Sequence, residues 1–122
     1  MVTRADLPPG TQACQAIHAA CEFAATQPTR FAHWHCLSNI IVLLAAPDEA
    51  ALRRLCQQAH AAGHAVVAFH EPDLDQQLTA AAFEPAARAL LSRLPLALTS
   101  PRNRGHRLRS SIDDLPCVPE GR

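Results

Sequence analysis

The sequence predicts an α/β fold for residues 1–98, and three observations support this prediction. Residues 40–44 and residues 65–69 are apolar runs of the kind found in strands that are covered on both faces. The segment between them has the apolar spacing of a helix, and strand, helix and strand in this order predict a right-handed parallel crossover. Hydrophobic residues make up 48% of the chain, which is enough for the core of one domain of this length.

The N-terminal half begins with a short predicted strand over residues 1–5. Thr11 is the expected N-cap of a helix that ends near residue 27, and a second helical piece is predicted over residues 29–36. The apolar positions that should face inward on the first helix are Ala13, Ile17, Ala20, Cys21 and Ala24.

The helix between the two apolar runs has clear boundaries in the sequence. Asp48 is its expected N-cap and Gly63 its expected C-terminal stop. The predicted inward positions are Leu52, Leu55, Cys56 and Ala59. A strand over residues 78–83, a helix over 86–93 and an edge strand over 94–98 complete the expected domain. Residues 99–122 are rich in arginine and lack periodicity, which is typical of a disordered tail.

Charge and cysteine usage restrict the available chemistry. The chain has no lysine, so no side-chain amine can act as a base or a Schiff-base partner. Its five cysteines are scattered without a CxxC pair, which predicts reduced and mostly buried thiols. No apolar run approaches the ~18 residues of a membrane span, and the first residues lack a signal-peptide core. We therefore expect a cytoplasmic protein without a membrane partner.

An acidic loop over residues 70–79 is the first candidate site, with Glu71, Asp73, Asp75 and Thr79 as its polar residues. It follows a predicted buried strand, and ligands of open α/β sheets bind at that end of the strands. Clustered carboxylates raise one another's pKa, which suits a general base. The alternative is a solvated acidic loop with no function.

Two further candidates lie earlier in the chain. Arg4 and Asp6 lie at the end of the first predicted strand, where they could bind an anionic substrate or form a structural ion pair. His18 shares a helix face with Gln15 and Glu22, where it could orient a substrate or shuttle a proton. The structural alternative for His18 is a packed or capping side chain that is bonded to Glu22.

Metal and nucleic-acid binding have weaker support. Two groups of histidine and cysteine come closest to the spacing of metal ligands. The first is His33, His35 and Cys36, and the second is Cys56, His60 and His64. In both groups the favoured interpretation is that the cysteine lies in the core and the histidines lie on the surface. We therefore expect no bound metal. The basic tail has the composition of a phosphate-binding or simply solubilising segment, without interleaved aromatic residues. No GxSxG, P-loop or GxGxxG motif is present.

An ordered series of motifs resembles the type-2 peptidyl-tRNA hydrolase family. The matching features are VTRADL at residues 2–7, QAIHAA at 15–20, Trp34, the run APDE at 46–49, residues 59–63, Glu71, Thr79 and the pair Glu84-Pro85. The resemblance covers residues 1–98 and implies a three-layer α/β/α domain around a small mixed sheet, often dimeric. It also implies hydrolysis of the ester between a peptide and the 3′ ribose of tRNA, without a cofactor.

The resemblance also implies roles for individual residues. Glu71 stands where the family has an aspartate and would activate or position water, while Thr79 stands at a family threonine and would donate a hydrogen bond. Arg4 or His18 would polarise the ester carbonyl or hold the tRNA 3′ end. The residues expected to bind substrate are Arg4, Asp6, Thr11, Gln15 and Asp75.

The chain departs from the family in the turn after the first strand. Family members have a lysine-rich turn there with a catalytic lysine, whereas residues 8–11 read Pro-Pro-Gly-Thr. Asp75 replaces another family threonine. The alternative to an esterase is therefore an inactive relative that binds a protein or a small ligand. A zinc-dependent hydrolase is a third hypothesis.

Overall fold

A computed structural model describes residues 1–99 of the chain. The helices and strands are β1 (Val2–Arg4), α1 (Pro9–Thr26), α2 (Pro28–Leu37), β2 (Leu44–Ala46), α3 (Glu49–Ala61), β3 (Val66–Glu71), β4 (Gln77–Phe83) and α4 (Arg88–Leu91). Short 3₁₀ turns at Pro72–Leu74 and Pro85–Ala87 precede β4 and α4. The tail expected from residue 99 onward lies outside the described residues apart from Thr99.

The four strands form one mixed sheet in the order β2-β1-β4-β3. β1 and β2 are parallel, and β4 is antiparallel to both of its neighbours. The strands β1, β2 and β3 therefore run in the same direction and end at the same edge of the sheet. The predicted parallel crossover is confirmed in strand direction, because α3 connects β2 to β3 and these two strands run parallel in the same sheet. The two strands are not neighbours, since β1 and β4 lie between them, and β3 forms a hairpin with β4.

Helices cover both faces of the sheet, which confirms the three-layer α/β/α arrangement within one domain. On one face, the α3 residues Leu52, Cys56 and Ala59 pack with the sheet residues Val2, Ala46 and Ala81. On the other face, the α1 residues Ala19 and Phe23 pack against Ala80 and Ala82 of β4. The small alanines of β4 let both helices approach the sheet closely.

A β-bulge interrupts the hairpin near the edge where β3 ends. Phe69 pairs with Ala80, whereas His70 pairs with Leu78, so Thr79 is an extra residue in β4. Thr79 and the adjacent Ala80 consequently both contact α1 rather than alternating between the two faces. The bulge thus directs a polar side chain towards α1.

The second helical piece predicted over residues 29–36 is confirmed as α2 (Pro28–Leu37), and the predicted boundaries and buried face of α3 are also confirmed. Asp48 caps α3, because its Oδ1 accepts a hydrogen bond from the Ala51 backbone N–H at 2.8 Å. Leu52, Cys56 and Ala59 are buried, and Leu55 is partly buried against the same cluster. Gly63 follows the helix with a φ of 78°, a left-handed conformation that favours glycine.

The predictions for α1 are wrong in two respects. Thr11 lies inside the helix and does not cap it, because Pro8 and Pro9 fix the backbone for an earlier start. The buried positions are Gln12, Gln15, Ala16, Ala19 and Phe23 rather than the expected apolar stripe. Ile17 is 64% exposed. Two buried glutamines mark the inner face, and a search for apolar spacing overlooks them.

The strand predicted over residues 40–44 starts only at Leu44. Ile40 and Ile41 are 69% and 65% exposed, because pairing with β1 begins at Leu44 and the preceding residues extend beyond the sheet. The edge strand expected over residues 94–98 is reduced to a single bridge between Leu44 and Leu96. The apolar character of these segments therefore does not reflect burial.

The cysteine prediction is also corrected. Cys14, Cys21 and Cys36 are exposed free thiols, and Cys56 is buried. Cys117 lies outside the described residues. Within residues 1–99, no helix is both long and apolar enough to cross a membrane.

Candidate functional site

Gln15 lies at the centre of a hydrogen-bond chain that joins α1 to both strands of the hairpin. Thr79 donates from Oγ1 to Gln15 Oε1 at 2.6 Å, and Gln15 donates from Nε2 to Glu71 Oε2 at 2.7 Å. The three residues are far apart in sequence, since 56 positions separate Gln15 from Glu71. The fold thus brings together three residues that the sequence singled out.

The surrounding backbone explains why these side chains meet. Gln15 lies on the buried face of α1, and the bulge directs Thr79 towards it. Glu71 is the last residue of β3 and caps the following 3₁₀ turn, where its Oε1 accepts from the Asp73 backbone N–H at 3.2 Å. Each Glu71 oxygen therefore has a fixed donor, and the carboxylate is held in one orientation.

The pKa of Glu71 is lowered from its ordinary value. The hydrogen bond from Gln15 is the main cause, followed by the Asp73 backbone N–H, and the charge of His18 lowers the pKa further. The expectation that neighbouring carboxylates raise the pKa of the loop base is wrong for Glu71, because donors surround it. Glu71 is therefore ionised at neutral pH and can accept a hydrogen bond from water or substrate.

His18 lies beside this carboxylate on the exposed side of α1. Its ring stacks on Phe69, with the ring centroids 4.6 Å apart and the planes within 5° of parallel. This stacking replaces the expected bond to Glu22 and holds the imidazole at the end of β3. The edges of the ring carry its two nitrogens, so they stay free to contact a ligand.

Arg4 lies on the opposite face of the sheet and does not join this cluster. Its Nε and Nη2 donate to the two oxygens of Asp6 at 2.9 and 2.8 Å, and its Nη1 donates to Gln77 Oε1 at 2.9 Å. Glu49 of α3 lies 3.8 Å from the same guanidinium. Hydrogen bonding to Arg4 lowers the pKa of Asp6. This geometry is that of the structural ion pair.

The remaining predicted site residues, Thr79, Thr11 and Asp75, differ in burial and in hydrogen bonding. Thr79 is fully buried and donates to Gln15, so it positions that side chain and cannot touch a substrate. Thr11 is partly buried on α1, and Asp75 is exposed with a left-handed backbone in the hairpin loop. Neither Thr11 nor Asp75 makes a side-chain hydrogen bond within residues 1–99. The sequence analysis overlooked Phe69 and Gln77, which no motif distinguishes from ordinary strand residues.

Metal binding finds no support in the described part of the chain. Among residues 1–99, no group of three histidine, cysteine or acidic side chains is close enough to hold a metal ion. Cys56, a member of one suggested cluster, lies in the core, where burial raises the pKa of its thiol to about 11. A thiol with so high a pKa is a poor metal ligand at neutral pH.

The cluster around Gln15 contains an ionised hydrogen-bond acceptor, Glu71, and an imidazole, His18. Gln15 and Thr79 are buried and hold Glu71 in position through hydrogen bonds. An ionised carboxylate can orient a water molecule, and an imidazole can donate to a developing negative charge. No protein-family model and no curated protein matches this chain. The side chains themselves are thus the basis for assigning a function.

Proposed function

We propose that the chain is an esterase of the peptidyl-tRNA hydrolase type, with Glu71 and His18 at its active site. The observation that carries this proposal is the hydrogen-bond chain from Thr79 through Gln15 to Glu71. It links residues of α1, β3 and β4 that the family resemblance marks separately. The order of the motifs along the chain and the shared location of Gln15, Glu71 and Thr79 support the same reaction.

Glu71 would orient the attacking water molecule and accept its proton. Each of its oxygens already accepts one hydrogen bond and retains a lone pair for a further donor. A water molecule held there attacks the ester carbonyl and passes its proton to the carboxylate. The bond to the 3′ oxygen of the ribose then breaks, and that oxygen takes up the proton. The products are a free peptide and a tRNA with a 3′ hydroxyl group.

His18 would stabilise the negative charge on the carbonyl oxygen or hold the RNA end. Arg4 is excluded from this role by its position, because Asp6 and Gln77 occupy its donors on the other face. The missing lysine leaves His18 as the basic side chain of the cluster. Gln15 and Thr79 are positioning residues, since they act through the orientation of Glu71.

The test is peptide release from a purified peptidyl-tRNA by the full chain and by Glu71→Gln. We expect release by the wild type and a loss of about 100-fold or more in kcat for the variant, the range of general-base catalysis. Asp73→Asn is the matched control, because Asp73 contacts Glu71 only through its backbone. No release by the wild type, or equal rates for wild type and Glu71→Gln, would refute the proposal.

Two observations favour a second function, the binding of a protein or a small ligand without catalysis. The lowered pKa of Glu71 weakens it as a base, and the lysine of the family turn is absent. A gel-shift titration of tRNA over a range of salt concentrations distinguishes the two functions. Phosphate contacts strengthen as salt falls, so an esterase of this type binds tRNA at low salt. Absence of binding with and without residues 100–122 favours the second function.

A further inference from the structure

An exposed apolar patch lies where α2 ends and the chain continues towards β2. Its four aliphatic members are Leu37, Ile40, Ile41 and Val42, which are 72%, 69%, 65% and 48% exposed. Folded monomers rarely leave this much aliphatic surface uncovered in one place unless it contacts another segment or molecule. The patch lies at the edge of the sheet where β2 begins, whereas Glu71 lies where the parallel β3 ends. It is therefore separate from the cluster assigned above to ester hydrolysis.

Hydrogen bonds hold the backbone of this patch in place, although its side chains are exposed. Trp34 of α2 donates from Nε1 to the backbone oxygen of Ile40 at 2.9 Å. The Asn39 N–H donates to the backbone oxygen of Trp34 at 3.1 Å, and the backbone nitrogen of Met1 donates to the Val42 oxygen at 3.0 Å. Since the backbone is already ordered, covering these side chains costs little further ordering of the domain.

The C-terminal part of the chain leaves the described domain close to this patch. The Ala97 N–H donates to the backbone oxygen of Leu43 at 2.9 Å, and Leu43 directly follows the patch. Residues 100–122 come after this point in the sequence. From Ala97 to Ile112 a chain can span up to about 50 Å when fully extended. The length of the intervening segment therefore allows residues 112–118 to return to the patch.

Residues 112–118 have a composition that is complementary to the patch and its surroundings. They read Ile-Asp-Asp-Leu-Pro-Cys-Val, with three large aliphatic side chains and two carboxylates. Residues 23–47, which include the patch, contain no acidic residue, and the exposed His33 and His35 precede Leu37 on α2. Imidazole N–H groups can donate to carboxylates in either protonation state of the ring.

The small size of the patch favours a segment of the same chain over a separate protein. Interfaces between proteins use roughly 20–30 residues on each side. Four aliphatic side chains give a weak contact between separate molecules, but joining both partners in one chain raises their effective concentration to roughly the millimolar range. A short contact can therefore be populated within one molecule although it would not hold two molecules together.

We propose that residues 112–118 dock on the apolar patch of the same chain. Their aliphatic side chains cover the patch, and their carboxylates accept hydrogen bonds from His33 and His35. This interaction does not depend on the proposed esterase activity, because it lies at the other edge of the sheet from Glu71.

Paramagnetic broadening in NMR spectra of the full chain tests this contact. A nitroxide is attached through Gly121→Cys, three residues beyond Val118 and outside the proposed contact. The native cysteines are replaced by serine, except for Cys56, which is buried. We expect the nitroxide to broaden the backbone amides of residues 37–42 strongly.

Variants in the C-terminal segment separate docking from mere proximity of the tether. Ile112→Asp combined with Leu115→Asp should lower the docking equilibrium constant about 10-fold or more, because two aliphatic contacts are lost, and the broadening should fall accordingly. Leu108→Asp lies outside the docking segment and is the matched control, with broadening as in the parent chain. Equal broadening in the double variant, or its loss in Leu108→Asp, would overturn the proposal.

Two further samples identify the surface and the molecule that the segment binds. Ile40→Asp combined with Ile41→Asp changes two exposed patch residues and should reduce the broadening as much as the double variant of the segment. An equal mixture of nitroxide-labelled chain and isotope-labelled chain without nitroxide should show no broadening at residues 37–42. Broadening in the mixture would mean that a second copy is bound, and undiminished broadening in the patch variant would mean that the segment binds elsewhere. Either result contradicts the assignment.

Discussion

Gln15 donates from Nε2 to Glu71 Oε2 at 2.7 Å and thereby connects the inner face of α1 to the end of β3. The same amide accepts the Thr79 hydroxyl through Oε1. Both polar atoms of one buried side chain are therefore satisfied by partners on two adjacent strands. This arrangement joins α1 to the sheet edge and lowers the pKa of Glu71, so its removal has two separate consequences.

Gln15→Met should destabilise the fold and raise the pKa of Glu71. The change leaves the Glu71 carboxylate without its strongest donor. It also removes the acceptor of the buried Thr79 hydroxyl, which costs about 1–3 kcal/mol of unfolding free energy. Urea unfolding measures the stability, and NMR titration of the Glu71 side chain measures the pKa. Gln57→Met, on the exposed face of α3, is the control and should change neither. An unchanged pKa of Glu71 in Gln15→Met would contradict this account.

The ion pair of Arg4 and Asp6 should make stability depend on acid pH. The pKa of Asp6 is lowered in the folded chain, mainly by the hydrogen bond from Arg4. The pair therefore stabilises the fold fully above the unfolded-state pKa of about 3.9, and this contribution is lost as pH falls through the lower folded-state pKa. Asp6→Asn should cost about 0.5–1 kcal/mol near pH 7, because solvent screens the 42% exposed Asp6 side chain although Arg4 is buried.

The measurement is urea unfolding of wild type and Asp6→Asn between pH 7 and pH 3. Their difference in unfolding free energy should shrink as the pH falls below about 4. Asp73→Asn serves as the control, because the Asp73 side chain makes no hydrogen bond within residues 1–99. A difference that stays constant down to pH 3 would show that the charge of Asp6 contributes nothing.

Cysteine alkylation should distinguish the exposed thiols from the core thiol. Cys14, Cys21 and Cys36 are exposed, whereas Cys56 is buried and burial raises the pKa of its thiol to about 11. Thiolates are the reactive form, so iodoacetamide at pH 8 should label the first three in the folded chain and Cys56 only after urea is added. Mass spectrometry of the peptides assigns each site. Labelling of Cys56 at the rate of Cys14 in native conditions would be inconsistent with the core.

The parts of the fold that the sequence could predict are those set by local rules. Helix α3 combines a capping aspartate, a regular apolar stripe and a terminal glycine, and each of these acts within a few residues. The α/β class follows from the order of such segments, whereas the three layers were expected from the family resemblance. The position of β1 between β2 and β4 depends on pairing between segments that are far apart in the sequence, so periodicity alone could not predict the strand order.

In the candidate site, the sequence could predict some of the residues but not the contacts between them. Glu71 and Gln15 could be named from the sequence because a motif series marks them, but their direct contact spans 56 positions. The position of Arg4 on the other face follows from the alternation of side chains in β1, since Thr3 bonds to α1 and Arg4 approaches α3. The β-bulge at Thr79 left no sequence signal such as glycine. Its effect on the site was therefore unpredictable.

Leu52 and Ile17 provide a direct test of which apolar residues hold the domain together. Leu52 is fully buried at the centre of the cluster between α3 and the sheet, whereas Ile17 is 64% exposed despite its place in the apolar stripe of α1. Leu52→Ala should lower the free energy of unfolding by about 2–5 kcal/mol, because it leaves a cavity. Ile17→Ala should change it by about 0.5 kcal/mol or less, as for other surface substitutions. Urea unfolding at one pH compares the two, and a loss of stability in Ile17→Ala that equals the loss in Leu52→Ala would mean that α1 packs through its other face.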